Sequence, residues 1–301
     1  MPVACLGKIP THGDFVRLRT GTDAVQRFDD WLRRGLRRIQ GRQAPSLEGS
    51  EKRPVRRFVF GGGTDSVLVG VLRSSQDEQG RRYPFGIVCA LSEGTVMPPH
   101  RVYLPVQCRA FFDEATSLAQ KATAGEIAWN ALRTHLERLP EPRVRPSVPR
   151  QHKQYLRREA IGNLEAALRE GAGPAGRRVA RTVTVLRRPG RLPDDGLRCP
   201  LVDRGQPSGS LVSFWAALAA RLPDEVMGTP TLFWTDPSSV SSMSDLLLYA
   251  GTAAPEAVSE VLRIDPRPTE VGTVDGPPGA SDLEGLDESC PADTRLWDLL
   301  H

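Results

Sequence analysis

Val67-Leu68-Val69-Gly70-Val71-Leu72-Arg73-Ser74-Ser75-Gln76-Asp77-Glu78-Gln79-Gly80-Arg81-Arg82-Tyr83-Pro84-Phe85-Gly86-Ile87-Val88 decides the fold class of this chain. The apolar run at its start is nearly continuous, the pattern of a strand covered on both faces. Ser74 to Arg82 reads as a polar hairpin loop, with Gly80 as its positive-φ residue. Tyr83-Pro84-Phe85-Gly86 opens a second buried strand, where a proline is tolerated only at the start or at an unpaired amide. The spacing predicts strands at 66–73 and 83–91, with a third at 56–60.

Outward from this hairpin, amphipathic helices alternate with further strands. Val25, Phe28, Leu32, Leu36 and Ile39 recur every three or four residues and predict a helix over 23–39. Thr22 can cap it, Asp23 suits its positive end, and Arg33, Arg34, Arg37 and Arg38 take the solvated face. Helices are expected at 108–122 and 125–139, with Phe111, Phe112, Leu118, Ile127, Trp129, Leu132 and Leu136 as core candidates. Others are expected at 152–170, 210–222 and 255–263. Val3 to Leu6, Val179 to Leu186, 231–235 and 246–249 are strand candidates. Trp31, Trp129, Trp215 and Trp234 all fall at core-compatible positions. Buried strands interleaved with such helices predict an α/β sandwich.

The 301 residues are 39% hydrophobic and 25% charged, an ordinary globular composition with room for a large core. No apolar run reaches the ~20 residues of a membrane span. The N-terminus has no basic region followed by an apolar stretch and a cleavage site, so a cytoplasmic protein is expected. Cys5, Cys89, Cys108, Cys199 and Cys290 are scattered and form no Cys-x-x-Cys pair. The five histidines lack metal-ligand spacing, so no metal and no cofactor is expected.

Net charge is only +4, but it is unevenly placed. Residues 133–198 carry 16 Lys/Arg against 7 Asp/Glu, whereas 265–301 carry 9 acidic against 2 basic residues. Such asymmetry can steer partners or lay the tail on its own body. No nucleic-acid recognition motif accompanies the arginines, so nucleic acid is not an expected partner. Pro140, Pro142, Pro146 and Pro149 make a stiff connector. The expected organisation is an N-terminal α/β domain at 1–140, a helix-rich α/β part at 141–268 packed on the same body, and an acidic, disordered tail at 269–301. The tail's end, Thr294 to Leu300, carries a Trp and three leucines, which suit either a short docking helix or a frayed terminus.

The front of the chain, Leu6-Gly7-Lys8-Ile9-Pro10-Thr11-His12-Gly13-Asp14-Phe15-Val16-Arg17, specifies an unusual turn behind the first strand. It is not a Walker loop, because Lys8 follows the first glycine and Pro10 removes an amide that a phosphate cradle would use. Gly171-Ala172-Gly173-Pro174-Ala175-Gly176 matches Gly-x-Gly-x-x-Gly but follows a helix and precedes the strand candidate, the reverse of a dinucleotide fold. Gly61-Gly62-Gly63-Thr64-Asp65 precedes a strand, which suits a hairpin better than a phosphate site.

The order Gly-Lys-Ile-Pro-x-His-Gly-Asp-Phe-Val resembles the opening of the TagF family, also called ImpM, of type VI secretion-associated proteins. Asp29-Asp30-Trp31-Leu32 is similar to that family's helix with a Trp-Leu pair. Ser75, Asp77, Gly80, Arg81 and Pro84 match its loop pattern, with Ser74 standing where proline is usual. The resemblance is specific over about 1–95 and weaker to about 140. It implies a three-layer α/β/α sandwich with a mixed, largely antiparallel sheet, its N-terminal part longin-like. It also implies a non-enzymatic, cytoplasmic accessory protein that restrains type VI secretion after translation. The partner it implies is the forkhead-associated-domain scaffold protein, with recruitment to a membrane-associated complex left open and no direct membrane insertion.

Lys8, His12 and Asp14 lie in one turn and admit three readings: a structural turn, a partner-contact surface, or acid–base catalysis in a hydrolase. Asp14 can accept amides of its own turn, and Phe15 and Val16 after it look core-like. Asp77 and Arg81 suit an Asx-turn with an ion pair, while Arg81 and Arg82 could also meet an acidic partner. The candidate partner-binding residues are therefore Lys8, His12, Asp14, Arg17, Asp77, Arg81 and Arg82. For the chain as a whole, the alternatives to the regulator are that hydrolase and a longin-type adaptor for a small GTPase or membrane complex. The opposite charges of the tail and the 143–158 region also predict that the tail competes for that face.

Overall fold

The computed structural model describes residues 2–40, 54–61, 66–92, 94, 96, 98–145, 147–172, 179, 182–183, 186, 196–202, 208–221, 229–235, 244–262 and 291–300. The connection at 41–52, the centre of the 61–65 hairpin, the glycines of 173–176, Cys290 and the 266–290 stretch expected to be disordered lie outside them.

The β4–β5 hairpin, Ser66–Arg73 with Phe85–Ser92, is zipped along its whole length, from Ser66↔Ser92 to Arg73↔Phe85. Around it stand β1 (Ala4–Gly7), β2 (Val16–Leu18), β3 (Arg56–Phe60), β6 (Leu197–Leu201), β7 (Thr231–Trp234) and β8 (Ser244–Tyr249). They form one eight-stranded sheet in the order β2-β1-β5-β4-β3-β7-β8-β6. Every pairing is antiparallel, so the sheet is not mixed as expected. Consecutive strands pair in β1–β2, β3–β4, β4–β5 and β7–β8, while β1–β5, β3–β7 and β6–β8 close antiparallel over longer connections.

Alternation along each strand divides the core. Phe58, Phe60, Leu68, Leu72 and Phe233 enter one buried cluster, while Val59, Val69, Val71, Leu232 and Trp234 enter the other. The first cluster is covered by α1 (Asp23–Gln40), whose Phe28 stacks on Phe58 at 4.7 Å and whose Trp31 stacks on Phe233 at 5.4 Å. The second receives residues of a 3-10 helix at Pro98–Tyr103, then α2 (Leu104–Gln107), α3 (Arg109–Thr123) and α4 (Trp129–Arg138). It continues into α5 (Arg150–Arg158), α6 (Ile161–Ala172) and α7 (Ser208–Ala219). A short α8 (Ala257–Val261) packs against α1, and α9 (Leu296–Leu299) packs against α5.

Four expectations are corrected. The helix expected over 152–170 is two helices, broken at Glu159-Ala160, where the backbone pairs with the C-terminal segment through an Ala160↔Arg295 bridge. In the expected strand 179–186 the described residues Val179, Thr182, Val183 and Leu186 are helical and buried, and their spacing is that of a helix face. Residues 291–300, at the end of the tail expected to be disordered, lie on the body with Leu296, Leu299 and Leu300 buried, the docking-helix reading of Thr294 to Leu300 and not the frayed terminus. Ile127 and Trp129 are only partly buried at the core's margin.

The 140–149 connector does not separate two bodies. Gln107 donates to the carbonyls of Arg145 and Ser147 at 3.0 and 3.2 Å, and β3 from the first half pairs with β7 from the second. Cys5, Cys89, Cys108 and Cys199 are buried free thiols. Burial pushes Cys5 up to about 12 and Cys89 up to about 11, and so suppresses their thiolates. Among the described residues no helix is long and apolar enough to cross a membrane, and no His/Cys/Asp/Glu cluster could hold a metal ion.

Candidate functional site

Two loops at one end of the sheet interlock. The first joins β1 to β2 and the second joins β4 to β5. Gly7 has a φ of 129°, and a Cβ there would lie 2.1 Å from the Pro84 carbonyl oxygen, so only glycine lets the first strand turn away so close to the second loop.

Asp77 ties the loops together. Its Oδ1 accepts the amides of Gln79 at 3.0 Å and Arg81 at 2.8 Å, an Asx-turn. Its Oδ2 accepts Lys8 Nζ at 2.8 Å and Arg81 Nε at 2.7 Å. Both Lys8 and Asp77 are buried. Burial opposes ionisation of Asp77, but the bonds from Lys8 and Arg81 prevail and hold its carboxyl well below the usual carboxylate range. Arg81 also donates to the Gly13 carbonyl at 2.5 Å, and the Glu78 amide donates to that of His12 at 3.2 Å. Gly80, at φ 76°, closes the turn by donating to the Asp77 carbonyl at 2.9 Å.

The structure thus gathers Lys8, Asp77 and Arg81 into one network, but it does not assemble Lys8, His12 and Asp14. Lys8 is engaged by Asp77, the His12 ring lies 6.3 Å from that of Trp129, and Asp14 accepts the Phe15 amide at 2.7 Å. The three side chains of the hydrolase reading each face a different neighbour. Arg82 is exposed, and its side chain has no ion pair or hydrogen bond among the described residues.

Phe15 departs from expectation. It is not core but exposed, 36% accessible, and stands alone as an exposed large hydrophobic among the described residues. Lys8 Nζ lies 5.0 Å and the Arg17 guanidinium 5.6 Å from its ring centre, and Tyr83 meets it edge-on at 4.8 Å. Tyr83 in turn donates to Asp29 Oδ1 at 2.6 Å, while Arg33 holds Asp29 Oδ2 at 2.6 Å and Arg17 lies 3.8 Å away. Burial and the Asp29 carboxylate push the Tyr83 phenol up, which keeps it a neutral donor. Beside this cluster a cleft of about 340 Å³ is lined by Arg17, Thr20, Gln26, Asp29 and Arg33.

Sequence reasoning missed Phe15, Asp29, Arg33 and Tyr83 as parts of this site. The Asp29–Arg33 spacing of four on one helix face was the available signal.

The first loop, the second loop and α1 all fall within residues 4–139, which match the TagF N-terminal domain family, described as type VI secretion system-associated. Those residues form a TagF N-terminal domain. In the crystal structure of PA0076 from Pseudomonas aeruginosa PAO1, the fold is similar at a TM-score of 0.50 and 20% identity. That similarity covers 86% of this chain and 93% of PA0076, so it extends past the TagF domain into the second half. No curated protein matches the sequence. Within the TagF domain, Lys8, Asp77 and Arg81 tie the front loop to the β4–β5 loop, and Phe15 is exposed beside Lys8, Arg17 and Tyr83.

Proposed function

We propose that this type VI secretion-associated chain is a non-enzymatic, cytoplasmic, post-translational negative regulator that binds a forkhead-associated-domain scaffold protein. The observation that carries the reading is Phe15: an exposed aromatic held by Lys8, Arg17 and Tyr83 on two cross-tied loops. An exposed aromatic flanked by a lysine, an arginine and a tyrosine on hydrogen-bonded loops has the composition of a binding hot spot. Arg17, Arg81 and Arg82 would meet acidic groups, and a pre-ordered loop loses little entropy on docking. Lys8 and Asp77 act as positioning residues beneath that surface, with His12 and Asp14 at its edge. Two core clusters fed by alternate strand residues support reading the body as a three-layer α/β/α sandwich. The order β1-β2-α1-β3-β4-β5 followed by helices in the TagF domain is what supports reading its N-terminal part as longin-like.

The test is a pull-down with the scaffold protein from a type VI-bearing bacterium, paired with a secretion assay. Phe15→Ala and Arg82→Glu should each weaken capture at least about tenfold, the range of a single hot-spot loss, and should raise secretion. Wild-type capture by both variants, with unchanged secretion, would remove the assignment of this surface.

A further inference from the structure

The helix expected over 152–170 is interrupted at Glu159-Ala160, and the backbone freed there pairs with residues 292–296. The Leu296 amide donates to the Glu159 carbonyl at 3.1 Å, and the Ile161 and Gly162 amides donate to the carbonyls of Thr294 at 3.1 Å and Ala292 at 2.7 Å. Arg295 Nη1 donates to the Arg158 carbonyl at 2.6 Å. A helix run unbroken through this point would have kept those groups for itself. The break converts helix backbone into an edge that reads another stretch of backbone, the logic of strand addition to an open sheet edge.

Side-chain pockets flank the edge. Leu296, Leu299 and Leu300 are buried in the cluster that holds Leu156, Ile161 and Leu164. Trp297 lies under the Arg157 guanidinium at 4.6 Å. Arg221, just past α7, donates to the carbonyls of Leu299 and Leu300, satisfying the end of the short α9. Gly162 is part of the fit, because a Cβ there would lie 2.8 Å from the Ala292 oxygen. Extended backbone, a leucine and an aromatic in sequence, then two leucines one turn on, are met feature by feature.

We infer that the α5–α6 break is a peptide-docking groove and that the chain's own C-terminal segment, 291–300, is its separable ligand. The groove takes polypeptides with an extended polar residue followed by Leu-Trp-x-Leu-Leu in a helical turn. A partner segment of that pattern would compete with the resident one. This surface lies outside residues 4–139 and is independent of the Phe15 surface.

The experiment uses the full chain with a protease site inserted between Gly279 and Ala280. After cleavage the severed end should stay with the body on size exclusion, and a fluorescent peptide of residues 288–301 should exchange into its place. Leu296→Ala in that peptide should weaken binding at least about tenfold, the worth of burying one leucine. Gly162→Ala in the body improves α6 by helix propensity, yet should also weaken the peptide at least about tenfold, because its Cβ meets the ligand backbone. A severed end that excess peptide cannot replace would overturn the inference. So would one whose departure abolishes the body's cooperative melt, or wild-type affinity in the Gly162→Ala chain.

Discussion

Asp77 and His152 tie the stability of this protein to pH in two separate windows. His152 on α5 is fully buried against Tyr103 at 5.4 Å, and neither ring nitrogen has a hydrogen-bond partner among the described residues. Burial lowers its pKa from 6.5 to about 4. The unfolded chain therefore takes up a proton first as pH falls, and stability drops between about 6.5 and about 4 by roughly 3 kcal/mol. His152→Leu should flatten that part of the curve. Asp77 acts lower down: its folded carboxyl is depressed, so its contribution is present above the ordinary carboxylate range and is lost as pH falls below about 4. Asp77→Asn should be less stable than wild type at pH 7, with the difference shrinking below pH 4. Urea titrations at half-unit pH steps read both windows. A His152→Leu curve parallel to wild type between 6.5 and 4 would show that the histidine has a partner.

Glycine positions govern how elements approach, and they explain which elements the residues foretold. A Cβ at Gly35 on α1 would lie 2.3 Å from Val258 Cγ2 and 2.4 Å from the Pro255 oxygen, so α1 meets α8 through a glycine contact. Gly35→Ala should destabilise by about 1–3 kcal/mol, as overpacking does, whereas Gly21→Ala, with nothing within 4 Å, should stay within about 0.5 kcal/mol. Equal midpoints for the two in urea would mean that α1 shifts without cost. Elements with a strong internal period were legible: β3 and β4 fall at 56–60 and 66–73 as expected, and α1 ends one residue later. Elements made by distant partners were not. β2 has three residues and exists because Cys5, Leu6 and Gly7 pair with it. β6 carries Pro200, which an edge strand tolerates. Four buried residues at 179, 182, 183 and 186 are apolar or β-branched enough to suggest a strand, yet their spacing is helical. In the site, the Asp77–Arg81 turn was legible from its local spacing. The exposure of Phe15 was not, because it depends on Lys8, Arg17 and Tyr83 arriving around the ring.

At the scale of the molecule, the TagF domain boundary and the physical boundary differ. Residues 4–139 contain β1 to β5, but β3 in that set is an interior strand of the whole sheet. Arg57, Phe58 and Val59 pair with Trp234, Phe233 and Leu232 across the halves, and every residue of β3 is buried. Phe233 and Trp31 stack on one face, while Phe112 meets Trp234 edge-on at 5.1 Å on the other, so both cores depend on β7. A chain ending at 140 would leave β3, with Phe58 and Phe60 on one face and Val59 on the other, as a sheet edge open on the β7 side, and such an edge templates pairing with further copies. Expressed alone, 1–140 should therefore self-associate, seen by light scattering after size exclusion. The full chain should unfold in one transition followed equally by circular dichroism and tryptophan fluorescence. A monodisperse, cooperatively folded 1–140 monomer would mean that the β3–β7 seam joins two independent units. In that case the conformation of the Phe15 surface would not depend on the second half of the chain.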